Sequence, residues 1–389
     1  MAEPNSLRLG TYITHATGSD QYRSFLPPPL PPQPPIELSG LISILGEADR
    51  ALGRLDGISR LLPDPALFIY MYVRKEALLS SQIEGTQSTI DELLRFEAEA
   101  IAGEPVDDIR EVSNYVDAIT YGLERLNTLP LSLRLIRELH ARLLNSGRGH
   151  KKSPGEFRRT QNWIGGSRPG NAMFVPPSVD QLPVCLDALE KFFHEQSQDM
   201  PPLIKAGLIH VQFETIHPFL DGNGRLGRLL ITLLLSAEKV LAQPLLYLSL
   251  YFKLHREDYY RLLQEVRDRG AWEAWLDFFL TGVASTADQA YNSAIRLLDL
   301  FEADRKKIAS GGDRAGSTLR LHEALRKSPY LNAQKAAKIT ELSMPTVNSA
   351  LAELQRLSII KEVTGKRRNR VYAYSAYLSI LAEGAEPIR

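Results

Sequence analysis

The sequence predicts a mainly helical protein with one small β-hairpin and a C-terminal unit of three helices and two strands. Three observations predict this. Apolar residues recur at helix spacing over long stretches, as Leu226, Leu229, Leu230, Leu233 and Leu234 do within 225–240. A segment rich in turn formers, 153–177, interrupts that pattern. After a linker-like stretch near 305–317, helix and strand patterns alternate at shorter range.

Composition narrows the class. A chain of 389 residues has room for two or three domains. Lys plus Arg number 46, as do Asp plus Glu, so no global field draws nucleic acid. A single cysteine, Cys185, rules out an internal disulfide framework. The N-terminus lacks a basic-plus-apolar leader, and the longest apolar run, around 229–236, is too short to cross a bilayer. A cytoplasmic protein without a membrane role is expected.

In chain order, an N-terminal arm runs into the proline-rich segment 27–35, which must be extended and is expected to lie along its own domain. Helices follow from near 38 to about 285. Residues 67–98 read as one long helix, or two with a break near Gly85. In 153–177, Gln161 to Ile164 and Met173 to Val175 are strand candidates flanking a tip at 165–171. Beyond the linker, helices are expected at 318–326, 332–340 and 344–357, with strands at 359–363 and 371–374. That order resembles a winged helix-turn-helix. Its loop carries Lys366, Arg367, Arg368 and Arg370, placed to meet phosphates. The helix at 344–357 offers Pro345, Thr346, Asn348 and Ser349 to bases, but Arg356 is its one basic residue, so docking of protein stays open beside DNA.

The chemistry is concentrated at 217–228, His-Pro-Phe-Leu-Asp-Gly-Asn-Gly-Arg-Leu-Gly-Arg. Glycine lets backbone take positive φ and approach a ligand closely. The helix that follows starts with unpaired N–H groups and partial positive charge, so Gly222, Asn223 and Gly224 make an anion cradle. Arg225 and Arg228 lie about one turn apart and lean toward the same end. Two guanidinium forks suit a polyphosphate. Asp221, at the lip, would repel phosphates unless a divalent cation lay between, and is expected as a Mg2+ ligand. His217 is a proton acceptor near physiological pH. Together these parts describe attack by a hydroxyl on phosphorus. Singly, each has a plainer reading: a helix-end histidine, an Asp-Gly turn, a short glycine pattern. His210, Glu214 and His217 share a helical face, but they are not His-Glu-x-x-His and have no further ligand cluster. Structural hydrogen bonds that aim the loop are expected of His210 and Glu214.

The eight fixed positions His217, Phe219, Asp221, Gly222, Asn223, Gly224, Arg225 and Arg228 resemble the signature of the Fic family, His-x-Phe-x-[Asp/Glu]-Gly-Asn-Gly-Arg-x-x-Arg. Residues 209–216 look like the helix leading into that family's loop. The resemblance implies a protein adenylyltransferase that cleaves ATP at the α-phosphate, passes AMP to a protein hydroxyl and releases pyrophosphate. His217 would be the general base, and Asp221 would hold Mg2+ between the α- and β-phosphates. Gly222, Asn223, Gly224, Arg225, Leu226 and Gly227 would form the ATP-binding turn, with Arg228 on the γ-phosphate and Phe219 packed beneath.

Ser80, Glu84 and Gly85 fit the family's inhibitory pattern, [Ser/Thr]-x-x-x-Glu-[Gly/Asn], in the class with an N-terminal inhibitory helix. There Glu84 would pair with Arg228 and misaim the α-phosphate. The hairpin would be a flap registering the target, with Trp163, Ile164 and Gly165 lining the pocket. Tyr259 resembles a position near adenine, or is helix packing. Expected partners are ATP, a target protein presenting a Tyr, Thr or Ser hydroxyl, the protein itself as a target, DNA through the wing, and a second copy in a homodimer. The alternative is a DNA-binding transcriptional regulator with a nucleotide-sensing Fic domain, although sensing would not need His217. The expected architecture is mainly α, an all-helical Fic core with a small β-hairpin flap, plus a C-terminal winged helix-turn-helix domain. Its divisions are 1–100 for the arm and inhibitory helix, 101–300 for the catalytic domain, 301–317 for a linker and 318–380 for the winged unit.

Overall fold

Helix-on-helix packing builds most of the molecule, described by a computed structural model for residues 8–17, 20–61, 65–97, 107–195, 200–311, 315–365 and 367–387. Strands β1 (Thr11–Thr17) and β2 (Asp20–Leu26) pair antiparallel, Thr11 opposite Leu26. The arm expected ahead of the prolines is this hairpin. Its alternation was hard to read because buried Ser24, bonded to His15 Nε2 at 2.7 Å, stands where an apolar residue would mark the inner face. The proline segment lies against its own domain as expected, with Pro28 O accepting from Gln212 and Pro34 O from Arg8.

Helices α1 (Ile42–Leu61), α2 (Pro65–Ile83), α3 (Ile90–Glu97), α4 (Asp107–Arg125) and α5 (Leu133–Leu143) precede the flap region. After it come α6 (Leu182–His194), α7 (Pro202–Ile216), α8 (Asn223–Ala237), α9 (Ser249–Leu254), α10 (Arg256–Arg269) and α11 (Trp272–Ala309). Helix α7 is the axis of the bundle. Every residue from Leu203 to Ile216 is buried, against α8, α6, α10 and α11. Truncating one of its large side chains, such as Phe213 to alanine, would cost about 3–5 kcal/mol. Helix α2 packs on α4 and α9, so the 80–85 segment lies in the same core as the 217–228 motif.

The linker expected at 301–317 is largely helical. Helix α11 continues to Ala309, buries Phe301, Asp304 and Ile308, and is followed closely by α12 (Ala315–Lys327). The Ser-Gly-Gly composition marks only the joint between two helices. Then come β3 (Tyr330–Asn332), α13 (Ala333–Thr340), α14 (Met344–Arg356), β4 (Lys361–Glu362), β5 (Val371–Ala373) and α15 (Ser375–Ala382). The strands form an antiparallel sheet ordered β3-β5-β4. Strand β3 and helix α15 were not expected. The three residues of β3 are too few to show a period. Arg367, Arg368 and Arg370 are exposed on the β4–β5 loop, and Lys366 lies outside the described residues.

This C-terminal unit is tied down. Tyr374 OH donates to Asp304 of α11 at 2.7 Å, and Tyr330 OH donates to Asp91 of α3. The segment after α15 reaches the end of α2, where the Gln82 amide donates to Ala385 O at 3.0 Å and to Ser88 O at 2.9 Å. Among the described residues no helix is long and apolar enough to cross a membrane.

Candidate functional site

The turn between α7 and α8 presents His217. Its backbone is left-handed (φ 48°, ψ 60°), uncommon for a residue with a side chain, so its surroundings must hold it there. Arg158 Nε and Asn162 Nδ2 both donate to His217 O at 3.1 Å, and Asn162 also donates to Phe219 O at 2.8 Å. Phe219 is fully buried, stacked on His140 with ring centroids 3.7 Å apart. The Gly155 amide donates to His140 Nδ1, so His140 Nε2 carries the hydrogen and donates to Asp221 O at 3.0 Å. Arg158, Asn162 and His140 thus fix the loop. Sequence reasoning missed all three, because each acts through backbone carbonyls remote in sequence.

His217 Nδ1 lies 3.3 Å from Glu214 O, which favours the tautomer with hydrogen on Nδ1 and a lone pair on Nε2. Burial, then the nearby Arg267 cation, lowers its pKa to about 4. The imidazole is therefore neutral at physiological pH. His210 makes structural hydrogen bonds, but to helices rather than to the loop: its ring nitrogens meet Gly227 O of α8 at 3.0 Å and Tyr259 OH of α10 at 2.9 Å, leaving neither for a metal. Glu214 behaves differently. Its Oε1 is buried without a hydrogen bond, and burial raises its pKa to about 7.

Gly222 opens α8 at φ 78°, and the helix ladder begins with Leu226 N to Gly222 O at 3.0 Å. The amides of the turn before Leu226 point out of the helix start. Two side chains of the expected ATP-binding turn point away from the cradle. Leu226 is wholly buried with its amide in that ladder, since its face of α8 is the core face. The Asn223 side chain braces the loop, accepting from Phe219 N and donating to Phe219 O, both at 2.9 Å. Gly227 must lack a side chain because a Cβ there would stand 2.3 Å from Glu214 Oε1.

Arg228 is buried and meets the end of α2. Its Nε donates to Ser80 Oγ at 2.8 Å, and its Nη2 donates to Ser80 O at 2.9 Å and Glu84 Oε1 at 2.7 Å. Burial would raise the Glu84 pKa, but Arg228 outweighs it and holds the carboxyl below its ordinary range. The position of Glu84 follows from how α2 stops. Thr86 N bonds Ser81 O and Gly85 N bonds Gln82 O, the Schellman pattern, with Gly85 in the left-handed region at φ 98°. Glu84 is thereby the cap residue, turned toward α8. Its carboxylate rests on Gly224, where a Cβ would come within 2.2 Å of Oε1.

Arg225 is turned differently from Arg228. It is 4 % exposed and donates to buried Glu111 at 3.2 Å, with Asp221 Oδ1 at 3.9 Å. Asp221 is partly exposed and its Oδ1 accepts from Gly222 N at 2.6 Å. Among the described residues, no three histidine, cysteine or acidic side chains form a metal cage. One accessible carboxylate beside a phosphate cradle fits Mg2+, which takes its remaining ligands from phosphate and water.

Glu84, Glu111, Glu214, His217, Asp221 and the helix start with Arg225 and Arg228 line one cavity of about 760 Å³. Its other walls include Trp163, Ile164, Gly165, Met173 and Phe174 of the flap, and Tyr259, Tyr260 and Arg267 of α10. The flap is slighter than expected. A single bridge joins Ile164 and Phe174, and a tight turn at Pro169–Asn171 forms the tip. Phe174 is held under Arg267, whose guanidinium lies 3.9 Å from the ring centroid. Tyr259 is 1 % exposed, packed on Phe252 and bonded to His210, so helix packing accounts for most of it.

Residues 42–124 match the Fic/DOC family N-terminal model, and residues 130–235 match the Fic/DOC family model. The chain carries the two domains of the Fic/DOC family. This Fic chain is 36 % identical over 138 residues to the protein adenylyltransferase Fic of Drosophila grimshawi, covering 35 % of this chain and 27 % of that protein. It is 32 % identical over 194 residues to the protein of the same name from Culex quinquefasciatus, covering 49 % and 35 %. It thus spans about a third or less of the length of these curated relatives. A Fic family protein from Desulfovibrio desulfuricans G20 shares the fold, with TM-score 0.56, 19 % identity, 88 % of this chain and 97 % of that one covered. A Fic domain containing signaling protein from Bacteroides thetaiotaomicron matches at TM-score 0.50 and 19 % identity, over 64 % and 96 %.

Proposed function

We propose that this Fic chain is a protein adenylyltransferase, moving AMP from ATP to a hydroxyl of a protein, and that Glu84 restrains it. The observation that carries the reading is the convergence, in one cavity, of a neutral His217 and the glycine-started helix bearing Arg228. The His217 Nε2 lone pair takes the proton of the incoming hydroxyl. The hydroxyl oxygen then bonds the α-phosphorus, and the bond to pyrophosphate breaks with its electron pair leaving on pyrophosphate. The outward amides of Asn223 and Gly224 and the Arg228 guanidinium stabilise the negative charge. Asp221 is the residue that would hold Mg2+, which supplies charge neutralisation to the phosphates when bound.

The restraint is electrostatic. While Arg228 is paired with Glu84 it is not available to a γ-phosphate, and the Glu84 carboxylate on Gly224 repels phosphate oxygens. Incubation with α-labelled ATP and Mg2+ tests the reading. Label should appear on protein, the protein itself included, strongly with Glu84→Gly and not with Glu84→Gly/His217→Ala. Label that persists without His217 would refute it.

The reading extends to 315–373 as a winged helix-turn-helix, supported by three helices, a three-stranded sheet and the exposed Arg367 and Arg368 on its loop. Helix α14 spends its one arginine on Glu353 at 2.6 Å, which favours DNA contact through phosphates rather than bases. A shift assay with the full chain and duplex DNA tests this, and binding unchanged in Arg367→Ala/Arg368→Ala would sink it.

A further inference from the structure

The cavity holds an arginine that the family signature does not contain. Arg148 lies on the loop after α5, in Ser146-Gly147-Arg148-Gly149. Both flanking glycines are left-handed, at φ 77° and 83°. The loop is wedged between two carboxylates: a Cβ at Gly147 would stand 3.1 Å from Glu111 Cγ, and one at Gly149 would stand 2.7 Å from Asp221 Oδ2. Only glycines allow the backbone to pass there. Arg148 Nε donates to Glu111 Oε1 at 2.7 Å and Nη2 to Oε2 at 3.3 Å, while Arg225 Nη1 takes Oε2 at 3.2 Å. One buried carboxylate therefore orients two guanidiniums. Arg148 keeps about half its side chain exposed, lines the cavity beside Asp221, and its Nη1 makes no hydrogen bond among the described residues.

Charge balance points the same way. Arg148, Arg225, Arg228 and Arg267 face Glu84, Glu111 and Asp221 around the cavity, with Glu214, raised to about 7, carrying only part of a charge near neutral pH. Withdrawing Glu84 leaves a net positive cavity, suited to a polyphosphate.

We propose that Arg148 is a phosphate-binding residue that grips the β- or γ-phosphate of the nucleotide, with Glu111 as its positioning residue. This rests on the adenylyltransferase reading. The test measures equilibrium binding of MgATP and of AMP to full-length Glu84→Gly/His217→Ala, with and without Arg148→Gln. Weakening of ATP by about tenfold is expected, the loss of one charge-assisted bond at 1.4 kcal/mol per decade, with AMP affinity unchanged. ATP affinity unaffected by Arg148→Gln, or ATP and AMP weakened equally, would overturn it, since a merely structural arginine does not distinguish them. Absence of ATP binding even with Arg148 present would instead refute the nucleotide reading.

A separate set of contacts, at the far side of α2, carries a second proposal. Gln82 is 1 % exposed and stands midway between Ser80 and Glu84. Its amide hydrogens go to Ser88 O and to Ala385 O of the C-terminal segment. That segment is held by Arg296 to Glu383, two bonds of 2.7 Å, by Lys253 Nζ to Gly384 O at 3.2 Å, and by buried Ala385. We infer that the C-terminal unit pins the inhibitory turn, so that displacing residues 383–387 loosens Glu84 from Arg228. Ala385→Glu in the full chain places a charge in a buried site and expels the segment. Its rate of label transfer should rise several-fold toward that of Glu84→Gly, and the substitution should add nothing in a Glu84→Gly background. Hydrogen exchange across 80–90 and 375–387 reports the displacement. A displaced segment with an unchanged rate, or an equal gain when Glu84 is already absent, would overturn the inference. An undisplaced segment would count against it too, because the pin would then not depend on Ala385.

Discussion

Replacing Glu84 by glycine removes one bond from a guanidinium that has three. Arg228 keeps Ser80 Oγ at 2.8 Å and Ser80 O at 2.9 Å, and loses the 2.7 Å bond to the carboxylate. A charge-assisted bond of this kind contributes about 1.5–3 kcal/mol. The Glu84 side chain is 37 % exposed, so water screens the pair, and about 2 kcal/mol is the discounted figure. At 1.4 kcal/mol per decade that converts to about thirtyfold in rate at subsaturating ATP. Initial rates of AMP incorporation from α-labelled ATP measure it, with Ser80→Ala as the control. Loss of the guanidinium bond to a neutral hydroxyl, at the low end of that range at about 1.5 kcal/mol, should give about tenfold. The reasoning is refuted if Glu84→Gly transfers AMP at the wild-type rate, or if Ser80→Ala exceeds it.

Other outcomes follow from the same geometry. Gly224→Ala puts a methyl where the Glu84 carboxylate rests and also crowds the cradle, so calorimetry should detect no ATP binding even in combination with Glu84→Gly. Because His217 titrates at about 4, the transfer rate of Glu84→Gly should stay flat from pH 8 to 6 and decline toward 4. A midpoint near 6.5 would disprove the assigned environment. Stability should rise with pH between about 4.5 and 6.5. His140, His210, His217 and His322 have folded pKa values of about 3 to 4, so in this window the unfolded chain binds protons there that the folded chain does not. Glu76 and Glu214, raised to about 7, oppose this with two protons held in the folded state, and their contribution is lost as pH rises through 7. Four groups against two leaves a positive slope, which thermal melts from pH 4.5 to 7.5 would check.

The turn at 217–228 was legible because its residues are local. A base, a carboxylate, glycines and arginines within twelve residues need only a helix start to converge, and the helix at 223–237 shows its period. Glu84 was legible only beside the 217–228 signature, since its spacing from Ser80 and the glycine after it, taken alone, describe a solvated helix face ending at a cap. What escaped was long-range. Glu111, Arg148, His140, Arg158 and Asn162 converge on the loop from three separate segments, and none sits in a pattern that announces a partner. The side chains of Asn223 and Leu226 turn away from the cradle for a related reason. A motif fixes residue identity, but which side chain faces ligand and which braces its own loop is decided by packing.

The hydrogen bond from Phe25 N to Val175 O, 2.9 Å, has a steric consequence. Main-chain groups alternate sides along an extended strand. At 173–175 one side is taken by Ile164 and the other by the N-terminal hairpin. Outward-facing backbone is left at Trp163 and Gly165, on the opposite margin. Among the described residues the hairpin of β1 and β2 closes one margin of this ribbon and leaves the other, at Trp163 and Gly165, open to a further extended chain.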